Sequence, residues 1–219
     1  MIDLHTHSLL SDGLLLPSEL ARRAEEKGYV AMAITDHVDW SNFERVVSSL
    51  IRVAARLNKE MQIRIIPGCE ITHVPPGDIP ELAQLCRDLG AQIIVAHGET
   101  PVEPVKKGTN AKALEANIDI LAHPGLLTDD DAKIAAQRKI AVEVTTRAGH
   151  SLGNGHIAKL WYQSGFPLVL DTDSHAPTDL VTIEFAEAVL LGAGIQPKDI
   201  EQIFETSRSI ARRFVKLQE

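Results

Sequence analysis

At 219 residues, with 44% hydrophobic and 24% charged side chains, the chain has ordinary globular composition and enough length for one sizeable core. Its formal net charge of −8 argues against a general binder of phosphate backbones, which carries a basic face. A small phosphorylated substrate stays within reach, because metal ions supply positive charge locally.

Residues 2–4 read as a first strand that runs into His5-Thr6-His7, followed by Asp12 in a Ser-Asp-Gly turn. A helix over 17–27 opens on Pro17 and stops before Gly28. Strand 30–35 leads to Asp36-His37, and helix 41–58 carries Phe43, Val46, Val47, Leu50, Ile51, Ala54 and Leu57 at helical spacing. Strand 63–67 precedes Gly68-Cys69-Glu70, and helix 80–89 follows. Strand 92–96 ends at His97, helix 110–116 follows, and strand 118–122 ends at His123. After helix 129–137, strand 141–145 opens into a glycine-rich loop holding Arg147 and His150. Helix 156–164 and strand 167–170 lead to Asp171 and then Asp173-Ser174-His175. Helix 180–191 follows, and residues 197–217 read as a closing pair of helices around Thr206-Ser207.

Seven strand-then-helix units favour parallel strands, since each crossover helix returns the chain to the same edge. An open doubly wound sheet draws its ligands from a few strands at one switch point. Here ligand-type residues follow nearly every strand, which a closed α/β barrel explains better, because it brings every strand end to one mouth. No linker, charge block or low-complexity run divides residues 1–219, so a single domain is expected. Cys69 and Cys86 fit no zinc or CxxC spacing and read as free thiols of a reducing compartment. No apolar run approaches the ~20 residues that span a bilayer, and the first strand begins without a signal peptide ahead of it. A cytoplasmic location without membrane contact is the expectation.

One histidine at a strand end is usually a capping or core residue, and a lone HxH pair is a weak signal. Nine suitable side chains at the same ends of successive strands are not explained by packing. They are His5, His7, Asp12, His37, Glu70, His97, His123, Asp173 and His175. Residues i and i+2 on a strand face one way, so His5 with His7 points into the barrel, and Asp173 with His175 repeats the pattern. Imidazole plus carboxylate, without thiolate, suits Zn, Mn or Fe better than Ca or Mg.

The motifs His5-Thr6-His7, Ser11-Asp12-Gly13, Ile34-Thr35-Asp36-His37, Gly68-Cys69-Glu70 and Asp173-Ser174-His175 resemble those of the PHP (polymerase and histidinol phosphatase) superfamily along essentially the whole chain. The resemblance implies a distorted (β/α)7 TIM-like barrel with up to three divalent metal ions at its C-terminal mouth. It implies that His5, His7, Glu70 and Asp173 hold the first ion, and that Glu70 bridges to a second completed by His97 and His123. Asp12, His37 and His175 would hold the third. Asp12 stands where some members carry His, a departure that bears on metal preference.

Clustered cations would screen a phosphate ester and depress the pKa of water, so that hydroxide attacks in line and no side-chain nucleophile is needed. Glu70, Asp173 and His175 are the expected catalytic set. Ser8, Ser11, Ser174 and Cys69 then read as turn or supporting residues. Asp36 is read as orienting His37 or as a cap, and Asp171 as a reserve ligand or orienting acid. Arg147, His150 and Lys106 are the candidates for binding substrate, with Lys107 beside them, whereas His73 and His156 read as surface histidines.

The expected activity is a metal-dependent phosphoesterase hydrolysing a small phosphomonoester, of which the resemblance implies histidinol phosphate as one candidate. One alternative is hydrolysis of nucleotides or oligonucleotide ends, although relatives with that activity carry an inserted small domain. Another is a non-catalytic scaffold or RNA-binding subunit, disfavoured by the acidic charge and the intact ligand set. The partner expected is a small phosphorylated molecule, with nucleic acid only as a small nucleotide. The oligomeric state is left open.

Overall fold

A helix after each strand carries the chain back across the sheet, so successive strands pair in one direction. In the computed structural model, which describes residues 1–217, the strands are β1 (Ile2–Asp3), β2 (Ala31–Ile34), β3 (His37–Val38), β4 (Arg64–Ile71), β5 (Ile93–His97), β6 (Ile120–Ala122), β7 (Ala141–Thr145) and β8 (Leu168–Asp171). Their order is β1-β2-β4-β5-β6-β7-β8, every pairing parallel, and the short β3 continues the course of β2 beside β4. Helices α1 (Pro17–Glu26), α2 (Phe43–Glu60), α3 (Ile79–Asp88), α4 (Thr109–Glu115), α5 (Asp129–Arg138), α6 (Asn154–Ser164), α7 (Ile183–Gly192) and α8 (Ile200–Arg212) follow the strands. The sheet nearly closes into a TIM-like α/β barrel, as expected.

The seam lies between β1 and β8. Thr6 and Ser174 form an isolated parallel bridge there, with the His7 amide donating to the Ser174 carbonyl at 2.8 Å. Below it two buried carboxylates finish the joint. Asp171 accepts from the Leu4 amide at 2.7 Å, and Asp3 accepts from the Thr172 amide and hydroxyl at 3.2 and 2.6 Å.

Strand alternation sorts the core into two regions. Met32 and Ile34, Ile65 and Cys69, Ile94 and Ala96, and Val142 and Val144 face the helices. Ala31 and Ala33, Ile66, Ile93 and Val95, Ile120, Ala141 and Val169 fill the barrel. Ile210 and Ala211 of α8, with Phe214 and Val215, pack against that inner cluster. They close the end where the strands begin, and Arg213 reaches Asp119 just before β6 at 2.6 Å. Polar residues succeed apolar ones along the same inward positions: Glu70 after Ile66, His97 after Val95, Glu143 after Ala141 and Asp171 after Val169. The barrel is therefore apolar at the base and polar at the C-terminal mouth.

The expected closing pair of helices is one helix. Helix α8 runs unbroken through Thr206 and Ser207, because Thr206 Oγ1 bonds the Gln202 carbonyl one turn back and leaves no competing cap. Strand β4 is longer than expected and carries Gly68, Cys69 and Glu70 inside it, since β3 extends its pairing edge. Cys69 and Cys86 are buried free thiols. No helix among the described residues is long and apolar enough to cross a membrane.

Candidate metal centre

The Thr6–Ser174 bridge sets two short motifs side by side, His5 and His7 flanking one partner and Asp173 and His175 the other. His7 Nε2 comes within 3.1 Å of Asp173 Oδ1, and the His7 and His175 rings stack 4.2 Å apart. Glu70 projects from β4 into the middle. Its Oε1 lies 3.4 Å from His5 Nε2 and 3.6 Å from His123 Nε2, and its Oε2 lies 2.6 Å from His37 Nδ1. A Cβ on Gly98 would sit 2.4 Å from the Ala122 carbonyl, so glycine there lets the ends of β5 and β6 meet. The His97 and His123 rings consequently lie 4.5 Å apart. Inward alternation would turn His123 away from the mouth; its left-handed φ of 29° brings the ring back.

All nine expected side chains converge, in overlapping sets. His5, His7 and Asp173 form one, Glu70, His97 and His123 another, and His7, Asp12, His37 and His175 a third, each with ligand-type atoms within 4.8 Å of one another. The first two sets are buried. The third opens to solvent through Asp12, whose Oδ1 lies 3.2 Å from His175 Nε2 and 3.5 Å from His37 Nε2.

The donors fit divalent cations. Glu70 Oε1 and Asp173 Oδ1 are buried and accept no hydrogen bond, although imidazole nitrogens surround them. Such carboxylate oxygens are costly to bury without a cation. His5 Nδ1 lies 2.6 Å from Glu143 Oε2 and donates to it, which leaves Nε2 as the ring nitrogen facing Glu70 and Asp173. His5 and His7 also hold their Nε2 atoms 3.0 Å apart, two donors for one ion.

Electrostatics divide the histidines. Burial opposes charge on His37, but Glu70 and Asp12 outweigh it and raise its pKa to about 10. His7 falls to about 3, driven by burial and then by charged His37. Burial, helped by His97, also pushes His123 well below its ordinary value. Burial resists ionisation of Glu70 and Asp173, yet the surrounding histidines, His5 foremost, hold both below the usual carboxylate range. Low-lying His7 and His123 thus sit beside ionised Glu70 and Asp173, while the surrounding carboxylates, against burial, hold His5, His37 and His97 above the ordinary imidazole value.

Sequence reasoning missed several participants. Glu143 lay at an inward position of an otherwise apolar strand, a signal that inside-outside alternation makes visible. Burial raises it to about 7, against the pull of His5. Thr72 holds His37 Nδ1 at 2.7 Å, and Glu103 meets His97 Nε2 at 3.1 Å. Asp179 accepts from the His175 and Ala176 amides at 2.9 and 2.8 Å and fixes the loop after β8.

Asp36 does not orient His37. It accepts from the Ser8 and Ser11 amides and hydroxyls at 2.7–3.0 Å, pinning the turn that presents Asp12. Asp171 serves the seam rather than the ion sets. Arg147 reaches the cluster, with Nε 3.4 Å from Asp173 Oδ2, and so does His150, stacked 4.3 Å from His123. Lys106 is exposed in the loop ahead of α4, where its carbonyl accepts from the Thr109 hydroxyl, and no side-chain hydrogen bond or ion pair ties it to the cluster. His156 is half-buried on the Leu127 carbonyl, and exposed His73 pairs with Glu103.

Comparison with known proteins agrees with this architecture. The PHP domain family matches residues 3–105. An uncharacterized protein of Methanocaldococcus jannaschii is 44% identical over 201 residues, 91% of this chain and 92% of that one. A DNA polymerase/3'-5' exonuclease PolX of Bacillus subtilis is 29% identical, over 79% of this chain but 34% of its own length. A probable phosphatase of Syntrophotalea carbinolica is 26% identical, over 91% of this chain and 90% of its own. In fold, a chain of the cryo-EM structure of archaeal ribonuclease P with mature tRNA superposes with a TM-score of 0.73 at 17% identity, over 97% of this chain and 90% of that one. With its motifs at the mouth of a parallel barrel, the chain belongs to the PHP-domain family.

Proposed function

We propose that the protein is a metal-dependent phosphoesterase acting on a small phosphomonoester. The observation that carries this reading is the pair of unbonded, buried carboxylate oxygens, Glu70 Oε1 and Asp173 Oδ1, enclosed by imidazoles and approached by one arginine. Held by the three sets, across which Glu70 reaches His5, His37 and His123, divalent cations would supply Lewis acidity that screens a phosphate and acidifies water.

The chain's own groups do the rest. Arg147 is anchored by the Asp173 carbonyl at 3.1 Å and by Asp179 at 3.5 Å, which leaves guanidinium N–H groups facing the mouth to clamp phosphate oxygens. His175 and Asp12 open onto a groove of about 860 Å³ that runs past Arg147 to Lys27. Leu14, Leu180, Val181 and Phe185 give it an apolar wall, a seat for the leaving group of a small organic phosphate. Asp36 and Asp179 keep the two loops that form the groove's inner end in place, so the substrate meets a preorganised site.

The test is Glu70→Gln, assayed for phosphate release from a panel of phosphomonoesters with Mn²⁺ or Zn²⁺. Loss of the shared carboxylate charge should reduce turnover by a factor of about 10³ or more while the thermal melt stays cooperative. Turnover equal to wild type, or a metal-free wild type that binds RNA, would refute the reading.

A further inference from the structure

The rim of the mouth carries a fourth group of ligand-type side chains outside the nine. Glu103, in the loop between β5 and α4, places Oε2 3.1 Å from Nε2 of both His97 and His73, and Oε1 3.3 Å from Nε2 of His150. The His73 and His97 rings lie 5.1 Å apart, and His73, His97 and Glu103 hold their ligand-type atoms within 4.8 Å of one another.

The tautomer of His97 makes this arrangement informative. Its Nδ1 lies 3.1 Å from the Gly98 carbonyl, which can only accept, so that nitrogen carries the proton. That leaves Nε2 as the ring nitrogen turned to Glu103 and free of the backbone. The nitrogen and the carboxylate oxygen 3.1 Å away are an N/O donor pair of the kind a divalent ion takes.

The backbone gives an independent sign. His73 has a left-handed φ of 54°, and among the described residues the other non-glycine positions of this kind are His123, Asp173 and the helix-capping Lys139. Two of those three lie in the metal centre. Core packing does not account for His73, whose side chain is 42% exposed. Strain held at an exposed ligand-type residue points to a binding role.

Exposure then falls stepwise inward: 42% for His73, 35% for Glu103, 3% for His97 and 0% for Glu70. A buried ion position needs a way in from solvent. His97 stands at the junction, facing Glu103 outward and grouped with Glu70 and His123 inward, and a single imidazole nitrogen holds one ion at a time.

We infer that His73, Glu103 and His97, with His150 adjoining, form a solvent-facing divalent-cation site through which metal loads the buried Glu70–His123 position. The inference rests on the buried cluster holding cations, as proposed above. Capture at the rim joins the ion to His73 and Glu103. Exchange of these two ligands for Glu70 and His123, with His97 retained, carries it inward without any change in charge or oxidation state.

The experiment strips wild type, His73→Ala and Glu103→Gln of metal with a chelator. It then follows uptake of Zn²⁺ from a chromophoric chelator, together with final metal content. Wild type should load fastest, with both variants roughly 10-fold slower yet reaching the same content. Equal loading rates in all three proteins would overturn the rim site while leaving the buried cluster intact. Reduced final content with an unchanged rate would also overturn it, since the rim residues would then merely support the inner ligands. Absence of any uptake by wild type would remove both proposals at once.

Discussion

Single residues set the protonation pattern of this centre. Glu143 is the clearest case: its carboxylate accepts a hydrogen bond from His5 Nδ1, so Nε2 is the ring nitrogen aimed into the cluster. Groups that orient a ligand histidine typically govern metal affinity by 10- to 100-fold. Glu143→Gln keeps the volume and an acceptor oxygen but removes the charge. It should weaken divalent-metal binding by roughly 10-fold, at the low end of that range, as measured by competition with a metal indicator. Affinity equal to wild type would mean that the charge of Glu143 is dispensable. The ligand types themselves were legible in the sequence because His and acids end successive apolar runs. Glu103 was not, because it sits in a loop with no periodicity, and Glu143 showed only as a lone acid at an inward position of an apolar strand.

At the scale of elements, the joint between β1 and β8 is made with side-chain carboxylates as well as backbone. Burial, opposed by hydrogen bonds from Thr172 and by His5, raises Asp3 from 3.8 to about 6. Asp171 is also raised, by burial and then by the charges of Asp3 and Glu143. The sign follows from linkage. An acid with a raised folded-state pKa contributes stability that is complete below about pH 3.8 and is lost as pH climbs through about 6. The metal-free chain therefore carries a destabilising buried charge at pH 8 that Asp3→Asn lacks. Relative to wild type, that variant should gain stability between pH 4 and pH 8, by up to about 3 kcal/mol, in thermal melts recorded across the range. A constant difference between the two proteins would show that Asp3 titrates normally. The sequence shows the alternation of strands and helices along the chain. It does not show this joint, because strand order at the seam depends on pairing residues about 170 positions apart. The single α8 was likewise hidden: Thr206-Ser207 reads as a break until the hydroxyl is seen to bond back to Gln202.

Over the whole molecule, an acidic chain gathers eight of its nine histidines and several acids at one end of a barrel whose other end is packed shut. Gathering carboxylates in a dry site costs stability that bound cations would restore. Each ion held only by the folded state adds about 2.7 kcal/mol at a free concentration 100 times its Kd. For a chain of this size that corresponds to a rise in Tm of roughly 5–10 °C. Melting followed by differential scanning calorimetry, with chelator and then with Mn²⁺ or Zn²⁺, should show that shift. A Tm indifferent to both would argue against a cation cluster.

The sequence by itself determined the class of the fold and the chemistry available to it. Periodicity reads out which segments are strands and which are helices, and residue type alone defines an N/O donor set. Which of those donors meet was decided only by tertiary structure. Register between β1 and β8, the close approach of β5 and β6 at Gly98, and the left-handed turns at His123 and Asp173 bring residues distant in sequence to within 3–4 Å. The same closure showed Asp36 as a loop pin, placed Arg147 and His150 beside the cluster with Lys106 apart from it, and brought exposed His73 against Glu103. These outcomes depend on the distance and direction of side chains from different strands, and no pattern along one segment encodes them.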